Sequence, residues 1–496
     1  MKIKTLTAAL ACALPMTGAF AAALDRSGQS ISSFLQPGNY AEAGISVLAA
    51  DVQGQESGTS ATNNKIDNMA KDYFFGSAAI KLQPTENFSF GIIYDQPFGA
   101  DAKYSGDNVF VSNDSNTILG ADSLAALRAS TIENTFNALT TEQRVGAAVQ
   151  AQGYDLTTAA GQAAYATALT SYNASEAYKN AIDTAVKAGV ATKVDEGLAG
   201  VNALLGKGAT NVKVTTQNLS FLFGFQPNEN WNFYAGPVLQ KIKGQVNLRG
   251  QAYSLFNGYD AVIPEEDAWG WLAGVAYQIP EIALKASLTY RSKIDYDINV
   301  KENISAISAL SLLGMDPTTI TGTPGKTSIT TPQSVNLDLQ SGIMADTVAF
   351  ANIRWVNWKD FSIRPYQFGL TSEAVGPLVS RPNGFNLVEY SDDQWSVTTG
   401  VGRKFSDKWA GNVSVGWDSG AGNPVTTLGP TEGYWNVGLG LQYSPAPNYF
   451  VAGGVKYFWL GDAKAQTGAQ SGGEEYVAKF SDNNAIAYGL KLGYRF

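Results

Sequence analysis

The sequence predicts an all-β fold, a transmembrane antiparallel β-barrel of about fourteen strands. Apolar and polar residues alternate over stretches of about ten residues, the length of a tilted strand that crosses a membrane. The connections between these stretches alternate between short turns and long loops. No segment after the first residues has about eighteen consecutive apolar residues, so no membrane-spanning helix is predicted.

Residues 1–21 have the organisation of a signal peptide. Lys2 and Lys4 precede an apolar run from Leu6 to Leu14, and residues 19–21 read Ala-Phe-Ala, a small-x-small cleavage site. A transmembrane anchor is the weaker interpretation, because Pro15 interrupts a run that is already short. The chain is therefore expected to be exported.

The side-chain inventory excludes the commonest catalytic mechanisms. The chain has no histidine, and its single cysteine, Cys12, lies in the predicted signal peptide. Ser-His-Asp and Cys-His catalysis and zinc cages need these residues, so we expect no enzyme, no cofactor and no metal. The net charge of −9 provides no basic surface for nucleic acid.

The alternation is clearest in the last strand and in residues 284–298. At the end of the chain, Leu490, Leu492 and Tyr494 share one face, and Lys491 and Arg495 lie on the other. Between 284 and 298 the polar face comprises Lys285, Ser287, Thr289, Arg291, Lys293, Asp295 and Asp297. Five charges on one face cannot pack in a dry core, so this face is expected to line a wet lumen.

Two segments do not read as wall strands. Residues 22–39 lack the alternation, and Phe34 and Leu35 are apolar in an otherwise polar stretch. Residues 22–39 are therefore expected to form either a loose leader anchored to the wall or a short plug in the lumen. Residues 105–210 form a long, Ala-rich and partly helical loop outside the cell, either a solvated cover over the mouth or an apolar landing surface for substrate.

The third strand contains an interruption. In "FSFGIIYDQPFGADAKY", residues 88–104, Gln96, Pro97, Phe98 and Gly99 stand where the alternation should continue. Proline removes a ladder donor, and glycine in a strand marks a bulge or a bend. Taken alone, the interruption is a bulge or an early strand end.

These stretches together resemble the FadL-type outer-membrane transporters of long-chain fatty acids and other hydrophobic compounds. The similar segments are "ALDRSGQSISSFLQPGNYAEAG", "YDQPFGADAKY", "LTYRSKIDYDI", "TPQSVNLDLQSGIMADTVAFANIRWVNWKDF" and "DKWAGNVSVGWDSG" with "YWNVGLGLQYSP". The chain departs from the better-known members in a short N-terminal region without their Asn-Pro-Ala stretch and in its long insert.

The resemblance implies a barrel formed by residues 40–496 in the outer membrane of a Gram-negative bacterium, with residues 22–39 as an N-terminal hatch. The residues assigned to that hatch are Ser27, Gly28, Phe34, Leu35, Pro37 and Gly38. It further implies that the kink at residues 96–99 opens the wall for lateral release of substrate. Expected partners are a hydrophobic small molecule, outer-membrane lipid and lipopolysaccharide, and the barrel is expected to be a monomer.

A fatty-acid site needs an apolar tunnel and a cation for the carboxylate. Arg291 and Lys293 are the preferred luminal cations, ahead of Lys285, Arg354, Lys456 and Lys491, although Asp295 and Asp297 can neutralise them. The sequence leaves the substrate open between fatty acids, alkanes and monoaromatic hydrocarbons. A general hydrophilic porin is the main alternative, and an adhesin or phage-receptor role can coexist with transport.

Overall fold

The structure, a computed structural model, describes residues 24–313, 315–321 and 325–496, so the predicted signal peptide lies outside the described residues. A closed antiparallel sheet of fourteen strands, β1 to β14, forms the wall. In order, the strands are Tyr40–Asp51, Tyr73–Leu82, Phe88–Asp95, Asn211–Phe225, Trp231–Leu248, Tyr259–Ile279, Leu284–Arg291, Ser334–Met344, Thr347–Val356, Gln394–Lys404, Trp409–Asp418, Tyr434–Ala446, Tyr449–Leu460 and Asn484–Arg495. Each strand pairs with the next, and β14 pairs with β1 along its whole length, which closes the barrel.

The predicted alternation sets which residues face outward. In β14, Leu490 and Leu492 are about half exposed, at 49% and 54%, whereas Lys491 between them is 5% exposed. Apolar residues therefore cover the outside, and the inward face carries small and polar side chains. The alternation expected in the last strand is confirmed.

Aromatic side chains form two belts around the outer face. At the long-loop end, cross-strand pairing aligns Trp271, Tyr290, Trp355, Trp395, Trp417, Trp435 and Trp459. Trp409 and Tyr443 belong to the belt at the short-turn end. The nine residues from Trp409 to Trp417 span about 20 Å along the barrel axis for an ordinary strand tilt. This distance fits the apolar thickness of an outer membrane.

Four helices in the loop after β3 form the predicted helical insert: α1 (Ala121–Ala138), α2 (Thr141–Ala151), α3 (Ala159–Ala174) and α4 (Glu176–Asn202). Residues 182, 186, 190, 194 and 198 of α4 recur every fourth position and are buried. These side chains hold the insert together, so they do not provide an exposed apolar surface. None of the described helices is long and apolar enough to cross a membrane.

The remaining loops carry short elements at the long-loop end. They include α5 (Thr318–Thr321) and α6 (Tyr366–Val375). A five-stranded sheet joins Gly54–Glu56, Lys65–Ile66, Val425–Thr426, Ala463–Gln466 and Ala478–Phe480. The loops are thus ordered by their own pairing.

The face assignment predicted for residues 294–298 is wrong. Strand β7 ends at Arg291, and Ile294–Ile298 pairs separately with Thr327–Thr331. Ile294, Tyr296 and Ile298 are buried, and Asp295 and Asp297 are exposed. The two residues between the strands, Ser292 and Lys293, change the phase of the alternation, so the charged face predicted from regular spacing is divided.

Candidate functional site

An apolar pocket, the mouth pocket, lies among the long loops. Its cavity measures about 120 Å³. Its larger lining side chains are Leu119, Leu127, Phe256, Phe368, Leu378, Phe385 and Leu428. Among the described residues that line it, none is charged, so the pocket suits hydrocarbon and offers nothing to an ionised head group.

Two buried tyrosines connect the mouth pocket to the third strand. Tyr253 lines the pocket and donates to Oγ1 of Thr427 at 3.0 Å, while Tyr104 donates to the Thr427 carbonyl at 2.6 Å. Burial raises the pKa of both phenols, so both stay neutral hydrogen-bond donors. The loops are thereby joined to the segment that ends at Lys103.

An apolar cluster continues from the mouth pocket to the wall. It joins Phe256 and Phe368 of the pocket with Tyr73 and Phe75 of β2 and Ala102 after the third strand. A hydrophobic molecule that follows this cluster stays in contact with apolar side chains, which avoids the cost of meeting polar groups without partners.

The interruption of the third strand leaves a gap in the wall. Strand β3 pairs with β2 as far as Tyr94 and with β4 as far as Asp95. The continuation, Gly99–Lys103, forms a ladder with β4, and on the other side it makes a single bridge, from Ala102 to Ala70, which lies before the start of β2. Among the described residues, positions 73–77 of β2 therefore have no ladder partner on that side, and we call this opening the wall gap. The side chain of Phe98 at the kink is 3% exposed.

The N-terminal segment, residues 24–39, lies inside the barrel and binds the kink from within. The Leu24 carbonyl accepts from the Gly99 amide at 2.8 Å, and the Arg26 amide donates to the Pro97 carbonyl at 2.6 Å. These bonds satisfy backbone groups that the broken ladder frees, as an apolar environment requires. At the kink, the Gln96 side chain donates to the hydroxyl of Tyr94 at 3.0 Å.

Phe34 of the N-terminal segment lies in a space that two glycines provide. A Cβ atom on Gly91 would lie 2.6 Å from the Phe34 ring, and one on Gly224 would lie 3.0 Å from it. The ring is 1% exposed and meets Tyr234 edge-on, with centroids 6.0 Å apart. Only glycine at these wall positions allows the backbone and the ring to approach this closely.

The end of the N-terminal segment is held at the short-turn side. Leu35 is 7% exposed, and its carbonyl accepts from the Lys285 ammonium at 2.6 Å. The Gly38 amide donates to Gln83 at 3.1 Å, and Pro37 lines a cavity of about 600 Å³ between the segment and the short turns. Polar and apolar side chains both line this cavity, and Lys81 and Lys285 are among them.

A buried ion pair fixes the first residues of the segment. Arg354 Nε lies 2.7 Å from Asp25 Oδ2, with side-chain exposures of 4% and 3%. Arg354 also donates to Asn336 at 2.6 Å and to Gln29 at 3.1 Å. The Gly28 carbonyl accepts from Asn336 at 2.8 Å.

Ser27 adds a further contact with the wall. Its hydroxyl donates to Asp95 Oδ2 at 2.6 Å, immediately before the kink. The N-terminal segment therefore joins β3 to β8 and β9 across the lumen through side chains distant in sequence.

Arg291 and Lys293 lie in different environments. Arg291 faces inward and is 8% exposed; no described residue forms a hydrogen bond or ion pair with its guanidinium, whose Nη1 is fully buried. Lys293 lies at the surface with a 63% exposed side chain, 4.0 Å from the carboxylate of Asp295. The structure does not bring these two cations together in the lumen.

Sequence reasoning undervalued the ion pair and missed the tyrosine at the gap. Arg354 was a secondary luminal cation, and nothing in the sequence links it to Asp25, 329 positions away. The hydroxyl of Tyr73 is buried, has no hydrogen-bond partner among the described residues, and lies 2.2 Å from the place of a Cβ on Gly99. The sequence marks Gly99 as a strand interruption, but it does not indicate that this glycine provides space for Tyr73.

Comparisons with known proteins bear on the family. The family model described as "Outer membrane protein transport protein (OMPP1/FadL/TodX)" matches residues 97–496. A Pseudomonas aeruginosa FadL homologue has a similar structure, with a TM-score of 0.57 and 11% identity over 94% of this chain and 92% of the other. The Pseudomonas putida toluene transporter TodX gives a TM-score of 0.50 and 10% identity over 97% and 96%. The comparison with curated proteins gave no match. At these identities the structures support the fold alone.

Proposed function

The chain belongs to the OMPP1/FadL/TodX family of outer-membrane transport proteins, and on that premise we propose that it carries hydrophobic carboxylates, foremost long-chain fatty acids, through the outer membrane without an energy source. Members of this family transport hydrophobic small molecules, and the barrel lies in the outer membrane. With the short turns on the periplasmic side, the mouth pocket is extracellular.

The observation that carries the proposal is the burial of the Arg291 guanidinium without an acceptor from the described residues. A buried guanidinium normally has a carboxylate or several acceptors, because an unpartnered buried charge is costly. Arg291 has no hydrogen-bonded partner among the described residues, although Asp95 is near enough to interact with it electrostatically. A fatty-acid carboxylate would supply the missing acceptor in a bidentate geometry.

For the route, we propose capture in the mouth pocket and release through the wall gap into the outer leaflet. Three features support this route: the charge-free pocket, the apolar cluster that leads to Tyr73, and the broken ladder beside Pro97. The N-terminal segment, residues 24–39, occupies the lumen, and we propose that residues 22–39 form a hatch. A hydrophilic porin would need that lumen to be open and polar.

A neutral hydrocarbon is the second candidate substrate. The mouth pocket favours it, because no charged residue lines that pocket. The two candidates differ at Arg291, since a neutral hydrocarbon has no group that this guanidinium would bind.

Uptake of labelled oleate, toluene and a small sugar by cells that lack other family members tests the proposal. We expect oleate uptake, and we expect Arg291→Gln to weaken oleate binding roughly 10- to 100-fold, the loss of charge-assisted hydrogen bonds. Arg291→Lys is the matched control that keeps the charge and loses the bidentate fork. If the cells take up toluene but no oleate, and if Arg291→Gln leaves toluene uptake unchanged, the protein is instead a channel for neutral hydrocarbons.

The lateral route has its own test. Pro97→Val should let the third strand pair further and should reduce uptake while the barrel still folds. Gly99→Val is unsuitable, because its Cβ would collide with Tyr73. Unchanged uptake in Pro97→Val would refute lateral release at this gap.

A further inference from the structure

The wall has a second interruption, between β6 and β7, four strands along from the wall gap between β2 and β3. Strand β6 pairs with β7 only from Leu272 to Ile279, and nearer its start, from Tyr259 to Val262, it pairs with Lys301–Ile304. Among the described residues, positions 263–270 of β6 have no ladder partner on this side. The hairpin of Ile294–Ile298 and Thr327–Thr331 would have continued the wall here, but its apolar side chains are buried inside the barrel.

An outward crevice marks this second interruption. It has a volume of about 650 Å³ and is lined by Trp269, Trp271 and Tyr290 together with Lys293 and Gln333. Asp295 and Asp360 also line it. Trp271 and Tyr290 belong to the aromatic belt at the long-loop end, so the crevice opens at the head-group level of the outer leaflet.

A small inner cavity lies directly behind the crevice. It is lined by Arg291 and by Phe98 of the kink, and it shares Trp271, Ser292 and Pro332 with the crevice. A single layer of residues therefore separates the Arg291 guanidinium from the outer leaflet. Gly270 keeps this layer thin, because a Cβ there would lie 2.6 Å from the Ile294 side chain.

The break after β7 places two cations on opposite sides of this layer. In a regular strand, residues 291 and 293 would face the same side. Here Arg291 is buried inside and Lys293 is exposed outside, with Ser292 between them. An anionic head group that crosses the layer would leave the Arg291 guanidinium and meet the Lys293 ammonium. Its hydrocarbon tail would meanwhile lie against Trp269, Trp271 and the membrane.

We propose that this crevice is a second lateral portal, through which a hydrophobic carboxylate passes between Arg291 and the outer leaflet. The inference rests on the proposed function, because it takes the same substrate class and assigns Lys293 as the outer cation. It differs from release at the wall gap in its position, between β6 and β7, and in its use of a charged head group.

A disulfide across the crevice tests the portal. A Cβ on Gly270 would lie 2.9 Å from Oγ of Ser292, close to the distance of about 3 Å between one cysteine Cβ and the other sulfur in a disulfide. The variant is Gly270→Cys with Ser292→Cys, with Ile294→Ala to make room and Cys12→Ser to remove the natural cysteine. Val413→Cys with Leu439→Cys, a directly opposed pair in the intact wall, is the matched control.

Oxidation of the Gly270–Ser292 variant should reduce oleate uptake severalfold, and reduction should restore it, whereas the control pair should show no redox dependence. A long-chain fatty acid with a photoreactive tail should label residues 269–271 and 330–333 in the reduced protein only. Equal uptake in both redox states, or labelling confined to the wall gap and the lumen, would overturn the portal.

A surface variant keeps the test decisive if the cysteine protein does not assemble. Lys293→Glu should lower crevice labelling about fivefold, the scale of an exposed charge interaction. Lys65→Glu is its control, because Lys65 is 66% exposed and 3.9 Å from Asp67, nearly the same surroundings as the pair at 293 and 295. If the wild type is labelled at the crevice but takes up no oleate, the proposed function is refuted and the crevice is a binding site only. If the wild type shows neither crevice labelling nor oleate uptake, the portal and the proposed function are both refuted.

Discussion

Replacing Asp25 with Asn should release the N-terminal segment from the barrel interior. The substitution leaves the Arg354 guanidinium, 4% exposed and 2.7 Å from the lost carboxylate, buried without a counter-ion. Asn336 and Gln29 still accept hydrogen bonds from Arg354, but neither carries a charge. Removal of one partner of a buried ion pair typically costs about 3–5 kcal/mol.

That cost falls on the contact between the segment and the wall. At about 1.4 kcal/mol per tenfold, it shifts the equilibrium between bound and released segment by roughly 10²- to 4 × 10³-fold towards release. The fourteen wall strands pair with one another and close without this segment, so the barrel itself should fold normally. The released segment would leave an open lumen.

The assay is the permeability of proteoliposomes to a small sugar, with single-channel conductance as a second measurement. Asp25→Asn should admit sugar, and wild type should not. Glu42→Gln is the matched control, because Glu42 forms a similar buried pair with Lys491 at 3.0 Å, outside the N-terminal segment. A second variant, Asp25→Leu with Arg354→Met, removes both charges and should restore closure. A tight Asp25→Asn protein, or an equal leak in Glu42→Gln, would refute the reasoning.

Three further predictions follow from single side chains. Phe34→Ala removes the ring that fills the space beside Gly91 and should weaken segment binding by about 3–5 kcal/mol, seen as sugar leak and as faster hydrogen exchange in residues 24–39. Phe256→Asp places a charge in the mouth pocket and should reduce oleate capture, with Leu204→Asp, an exposed residue elsewhere, as the control. Burial raises the pKa of Glu432 to about 7. The folded loop 419–433 therefore holds the carboxyl proton of Glu432 more tightly than the unfolded chain does. The stability of this loop should fall as the pH rises from about 4.5 to 7 and should change little above pH 7. The hydrogen-exchange protection factors of that loop, which are corrected for the intrinsic rise of amide exchange with pH, should fall over this interval in wild type and stay level in Glu432→Gln, and an equal fall in both would contradict the assignment.

The local pattern of the sequence was sufficient for the wall. In β14 the alternation of apolar and polar residues specifies which side chains face lipid, because a strand has a period of two and only one face meets hydrocarbon. The same argument located the interruption at Pro97, since proline cannot complete a ladder. The helical insert followed from composition, although the burial of its apolar stripe did not.

Long-range contacts were beyond that pattern. Alternation gave the wrong face for Asp295 and Asp297, because the break at Ser292 and Lys293 changes the phase, and only packing inside the barrel determines which way the hairpin turns. The same break separates Arg291 from Lys293.

The sequence by itself determined that the protein is an exported barrel and that it lacks the histidine and cysteine chemistry of common enzymes. It also determined the positions of the strands and of the kink. Its period and composition are local properties, and they are sufficient for elements that alternate regularly. Only the tertiary structure decided that Asp25 meets Arg354, that Phe34 fits beside Gly91 and Gly224, and that the Arg291 guanidinium has no hydrogen-bond partner in the described part of the chain. Barrel closure brings together residues hundreds of positions apart, and no local spacing encodes which of them will meet.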